Sequence, residues 1–186
     1  MSRFRICSLY VAGVLVALSL GSSAACAQTL AQARQFAASG QTAQALQATE
    51  RALQDKPKDA ELRFYHGVLL HDLGRLDAAF AAFTELNETH PELPDPLNNL
   101  AVIHAARGQW QEARRRLEEA LRNDPKHRGA RENLGDVYVR LAIDHWQAAA
   151  AGARADPGLL RKLAMARQIA EAVASPASGS QGASPP

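Results

Sequence analysis

Cysteine is scarce: the 186-residue chain has Cys7 and Cys26 and no other. Both precede Gln28, where we expect the mature chain to start. The remaining residues then carry no thiol, which excludes disulfides, thiolate–metal sites and a cysteine nucleophile. That suits an oxidising compartment. Charge of one sign is also missing. The chain has 21 Lys+Arg against 19 Asp+Glu, and removing Arg3 and Arg5 with the leader leaves 19 against 19. A neutral chain offers no electrostatic case for nucleic acid or an anionic membrane. The run Arg114-Arg115-Arg116 is answered by Glu118-Glu119 and reads as a solvated helix face.

Catalytic patterns are absent too. There is no Gly-x-Ser-x-Gly elbow, no phosphate loop and no His-Glu-x-x-His. His66 and His71 are five apart, so they stand ~140° apart around a helix and cannot share a face. His66 shares a column with Leu100 and Leu134 and is expected to be a buried structural histidine. No window alternates as a strand does. We therefore expect no enzyme, no cofactor and no metal site.

The ends differ from the middle. Arg3 and Arg5 precede an apolar run, Leu9 to Leu20, whose 12 residues are too few to span ~30 Å of hydrocarbon comfortably. With Ala25-Cys26-Ala27 this forms a secretory signal pattern, cut after Ala27. An uncleaved membrane anchor is one alternative. Another is lipidation of Cys26, although the leucine usual three residues ahead of a lipoprotein cysteine is replaced by Ser23. At the far end, residues 175–186 contain only Ser, Pro, Ala, Gly and Gln, and disorder is expected. Just before them Leu159, Leu160, Leu163, Ala166, Ile169 and Ala170 recur at helical spacing and predict a capping helix over 158–174. The domains expected are thus a leader at 1–27, a repeat domain at 28–174 and a tail at 175–186.

What the middle has is a period. Pro57, Pro91 and Pro125 stand 34 residues apart, and such a period marks stacked helical hairpins. The same step gives Ala33, Gly67, Ala101 and Gly135, a small column where helices cross closely. It gives Gly40, Gly74 and Gly108, which would end first helices in the left-handed region, and then Ala142. Ala45, Ala79 and Ala113 let a second helix lie against the first; in the column of Thr49, Phe83 and Leu117, the last two fill the space between hairpins. The prolines stop the second helices.

These residues resemble the tetratricopeptide repeat, over about residues 28 to 157. The fit is best from Pro94 to Pro125, through Asn99-Leu100-Ala101, Gly108, Ala113, Leu117 and Ala120. The resemblance implies an all-α fold, a right-handed α-α superhelix of about four hairpins plus the capping helix, or about nine helices. The fourth unit departs from the pattern: Pro157 follows Pro125 by 32 residues and no glycine stands between its helices. A tight bend near Ala142–Asp144, capped by Asp144, is expected. One continuous or kinked helix from about Arg128 to Ala155 is the alternative.

The resemblance also implies a concave groove lined by first helices. Carried over by column, its lining is Leu30, Arg34 and Ala37; Phe64, Val68 and His71; Asn98, Val102 and Ala105; Glu132, Asp136 and Val139. Asn98 and Asn99 could bond a peptide backbone through their amides. Arg34 at one end and Glu132 with Asp136 at the other would give the groove an electrostatic direction. Some members of the family clamp a ligand's terminal carboxylate with lysines and asparagines. Here Asn99 and Asn133 remain, but Phe64, Gly129 and Glu132 replace the lysines, so no such clamp is expected.

The function expected is a non-enzymatic periplasmic scaffold, binding a peptide or helix of an envelope protein. The alternative is an outer-membrane lipoprotein assembly subunit anchored through Cys26. No nucleic acid is expected as a partner, and a membrane only with lipidation.

Overall fold

Glycine and proline punctuate the chain where the period places them. The computed structural model describes residues 21–151 and 156–174, with side chains over 30–151 and 156–172; the run Leu9 to Leu20 and the tail at 175–186 lie outside the described residues. Eight helices are described: α1 Gly21–Ala38, α2 Thr42–Asp55, α3 Ala60–Asp72, α4 Leu76–Thr89, α5 Pro94–Ala106, α6 Trp110–Asn123, α7 Arg128–Ala151 and α8 Pro157–Ala174. The described residues contain no strand. The fold is all-α, built from the hairpins of a repeat array. α1 is helical from Gly21 and so runs across Ala27.

Gly40, Gly74 and Gly108 have φ of 77°, 72° and 72°. This left-handed conformation costs glycine little and any other residue more. Each glycine closes its first helix the same way. The N–H of Gln41, Arg75 and Gln109 reaches back to the carbonyl of Phe36, Leu70 and His104, at 2.8, 2.9 and 2.9 Å. These bonds satisfy carbonyls that the helix end leaves open. The second helices α2, α4 and α6 end two residues before Pro57, Pro91 and Pro125. Helix starts are capped by differing means. Asp59 Oδ1 accepts from Leu62 N–H at 3.0 Å. Pro94 opens α5 with its φ already set. His127 Nδ1 accepts from Ala130 N–H at 2.9 Å, and Asp156 Oδ2 from Leu159 N–H at 3.2 Å.

The chain divides into two units between Ala82 and Phe83, within α4. In the first, α2 buries Ala45, Leu46, Thr49 and Ala52 along one stripe. Thr49 keeps its hydroxyl satisfied at depth by donating to Ala45 O at 2.9 Å. Leu30, Ala52 and Leu62 form a core that Leu53 and Tyr65 cover, joining α1, α2 and α3.

In the second unit α5, α6 and α7 share a core of Leu97, Ala101, Ala113, Leu117, Ala120, Ala130 and Val137. Ala101 and Ala113 are buried, as expected where helix axes approach to ~8–10 Å. Each fully buried leucine contributes roughly 1.5–3 kcal/mol over its exposed state. A second cluster joins α7 to α8 through Ile143, Leu163, Ala166 and Ala170, with Val139 and Trp146 against it. The helix expected at 158–174 is therefore α8, packed on α7 as the close of the array.

Three expectations for the fourth unit are corrected. No bend occurs near Ala142–Asp144, because α7 is continuous for 24 residues, from Arg128 to Ala151. Ala142 holds the place where earlier units have a left-handed glycine, and alanine is the strongest helix former. Ile143, 7% exposed, is held in the α7–α8 core, while Asp144 is exposed and caps nothing. The described helices accordingly number eight rather than about nine. Finally, the small column loses its purpose at Gly135. A Cβ built there would meet nothing within 4 Å, so no helix crosses closely at that point.

Candidate partner-binding site

The second unit holds a cavity of about 200 Å3 lined from four helices. α5 supplies Ala101, Val102 and Ala105; α6 supplies Trp110 and Leu117; α7 supplies Asn133, Asp136, Val137, Val139 and Arg140; α8 supplies Ala170. Residues three or four apart share a helix face. Asn98, Val102 and Ala105 thus form one stripe of α5, and Glu132, Asp136, Val139 and Arg140 another on α7. Val102, Ala105, Trp110, Asn133, Asp136, Val139 and Arg140 are all half-buried, so the lining remains open to a ligand.

Of the groove residues expected here, Val102, Ala105, Asp136 and Val139 line the cavity. Glu132 is exposed one turn before Asp136. The amide oxygen of Asn98 is engaged, because Oδ1 accepts from Asn133 Nδ2 at 2.8 Å. Asn99 turns back on its own helix and donates to Asp95 O at 2.9 Å, a local bond that competes with any ligand.

Charge in the cavity is uneven. Burial raises the Asp136 carboxyl above its usual range, and the neighbouring Glu132 charge raises it further. Arg140 stands one turn further along α7 and would be the natural counter-ion. It is drawn elsewhere: its guanidinium lies 5.6 Å from the Trp110 ring centre and donates to Ala170 O at 3.3 Å. Among the described residues none hydrogen-bonds or ion-pairs the Asp136 carboxylate.

The groove residues of the first unit meet different surroundings. Arg34 of α1 is no free charge, because its Nη2 lies 2.8 Å from Glu61 Oε1 of α3. Its guanidinium also sits 5.8 Å from the Tyr65 ring centre. Phe64, Val68 and His71 are half-buried on α3, and His71 Nδ1 stands 3.5 Å from Asp72 Oδ1. His66, expected to be buried, is half-buried with Nε2 3.7 Å from Glu50 Oε1. Among the described residues no three of His, Cys, Asp and Glu come together as metal ligands would.

Seven of the eleven lining residues are not among those expected: Ala101, Asn133, Val137 and Arg140 on the flanks of α5 and α7, Trp110 and Leu117 on the second helix α6, and Ala170 on the closing helix α8. Column transfer points to one stripe of each first helix and so omits them. The sole hint in sequence is the i, i+4 spacing of Asp136 and Arg140.

Comparison with known proteins agrees with this architecture. Residues 30–94 and residues 70–134 each match a tetratricopeptide repeat family model. Protein O-mannosyl-transferase TMTC1 of Homo sapiens is 34% identical over 97 residues, and that of Mus musculus 35% over 97. These matches cover 50% of the chain but 11% and 10% of the transferases, so the chain spans about a tenth of these relatives. Among solved structures, the TPR protein TTC0263 of Thermus thermophilus superposes with a TM-score of 0.59 at 22% identity, over 77% of this chain and 82% of that one. YrrB, a TPR protein with an unusual peptide-binding site, gives 0.53 at 26% identity, over 57% and 55%. The first TPR of Spaghetti (RPAP3), bound to an HSP90 peptide, gives 0.58 at 14%, over 63% and 93%. With family matches running from residue 30 to residue 134, more than half its length, the chain belongs to the tetratricopeptide repeat family.

Proposed function

We propose that the chain is a non-enzymatic, exported interaction module that holds a peptide or helix of another cell-envelope protein. The observation that carries the binding reading is the cavity of about 200 Å3 among α5, α6, α7 and α8, lined by Val102, Ala105, Asp136 and Val139. Groove positions transferred by column converge there on an open apolar hollow with a few polar groups, the usual make-up of a recognition site. The resemblance to YrrB, 26% identical and described by its peptide-binding site, supports the same reading. Export rests on Arg3, Arg5, the run Leu9 to Leu20 and Ala25-Cys26-Ala27. None of the described helices is long and apolar enough to cross a membrane.

Placement in a Gram-negative periplasm is tested by the intact mass of the protein recovered from the envelope. A chain beginning at Gln28 supports it. A lipidated Cys26 would replace it with an outer-membrane lipoprotein assembly subunit, and an uncut leader would overturn both. Binding is tested by crosslinked co-purification, with Val102→Trp filling the cavity. A partner retained at full yield by a folded variant would sink the site.

A further inference from the structure

We propose that the occupant of this cavity is a cationic peptide segment, with an aliphatic side chain in the hollow and a lysine or arginine beside it against Asp136 and Glu132. This rests on the peptide-binding reading above and adds the chemistry of the partner.

The apolar half of the argument is spatial. Val102, Ala105, Trp110 and Val139 line a space of about 200 Å3. A cavity of about 150 Å3 already accommodates a benzene-sized group, so an aliphatic side chain fits. The polar half is a missing counter-ion. Asp136 lines the same space, is half-buried and has no ionic or hydrogen-bonded partner among the described residues. Glu132, one turn back, adds a second negative charge. Arg140, one turn further along α7, is occupied by Trp110 and by the Ala170 carbonyl.

A partly desolvated carboxylate without a partner is costly. An entering ammonium or guanidinium removes that cost and gains a charge-assisted hydrogen bond. An entering carboxylate would instead meet two like charges. The chain's own residues 175–186 cannot supply the cation, since they contain only Ser, Pro, Ala, Gly and Gln.

The test is selection of a phage-displayed random dodecapeptide library on the full chain. Selected peptides are then measured by fluorescence anisotropy against wild type, Asp136→Asn and Glu132→Lys. Glu132 is exposed, so its replacement spares the core, and thermal melts verify that both variants fold. The expected result is enrichment of Lys or Arg within two positions of an aliphatic residue. Binding should fall about tenfold in Asp136→Asn and at least as far in Glu132→Lys, and weaken with salt. Enriched peptides without a basic excess, or affinities unchanged in both variants, overturn the cation and leave peptide binding standing. No enrichment above the cavity-filled Val102→Trp chain removes both readings.

Discussion

Asn133 Nδ2 donates to Asn98 Oδ1 at 2.8 Å and so ties α7 to α5 beside the cavity. Both side chains are half-buried, so removing one leaves the other partly desolvated and unpaired. Asn98→Ala is expected to cost about 1 kcal/mol of stability, and Asn133→Ala about the same. The double substitution should cost less than the sum of the two, because one shared bond is lost once. Urea unfolding of the four chains measures the coupling. Strictly additive losses would mean that the bond contributes nothing.

Two glycines should respond to alanine with opposite sign. Gly74 has φ 72° and closes α3, so Gly74→Ala forces a Cβ into the left-handed region and should destabilise by about 1 kcal/mol or more. Gly135 lies inside α7, and an added Cβ would meet nothing within 4 Å. Gly135→Ala removes backbone freedom from the unfolded chain and should stabilise by roughly 0.5–1 kcal/mol. Thermal melts of the two variants give the signs directly.

Acid should stabilise the free protein through Asp136. Burial first, and Glu132 second, raise its folded pKa above the unfolded value. The folded state therefore binds the proton more tightly, and stability is lost as pH rises from the unfolded pKa of about 3.9 through the folded value. Asp136→Asn removes this loss. It is expected to be more stable than wild type at neutral pH, with the advantage vanishing towards pH 3. Urea midpoints of both chains across that range provide the check. An advantage that persists in acid would point to a cause other than ionisation.

The pattern was legible where one backbone conformation repeats. Gly40, Gly74 and Gly108 share a column because the same left-handed turn recurs, and only the residue lacking Cβ takes it readily. It misled where packing decides. Gly135 continues the small column, yet no helix crosses it closely. Ala142 replaces the turn glycine, and α7 simply runs on until Ile143 and Trp146 meet α8. More than half of the cavity lining escaped for the same reason. Val102, Ala105, Asp136 and Val139 follow from register on the first helices. Trp110 and Ala170 depend on where a second helix and the closing helix come to rest. The pairing of Arg34 with Glu61 and of Asn98 with Asn133 likewise needs distances between helices.

His127 carries two jobs that the repeat assigns elsewhere to different residues. It stands 34 residues after Leu93 and 68 after Asp59, in the column that precedes each first helix. Its Nδ1 accepts from Ala130 N–H at 2.9 Å, as Asp59 Oδ1 does from Leu62 N–H. That leaves Nε2 as the protonated nitrogen, which donates to Asp95 Oδ1 at 3.1 Å and ties the start of α7 to that of α5. His127→Ala loses both bonds and should cost about 1–2 kcal/mol. His127→Asn restores an acceptor for the helix start but is too short for the second bond, so its cost should fall between. His127→Asp also caps, yet sets a negative charge near Asp95, and should be less stable than the asparagine variant while remaining above alanine. Urea unfolding at pH 7 ranks the four chains. An asparagine variant no better than alanine would show that the link to Asp95, and not the cap, is what His127 contributes.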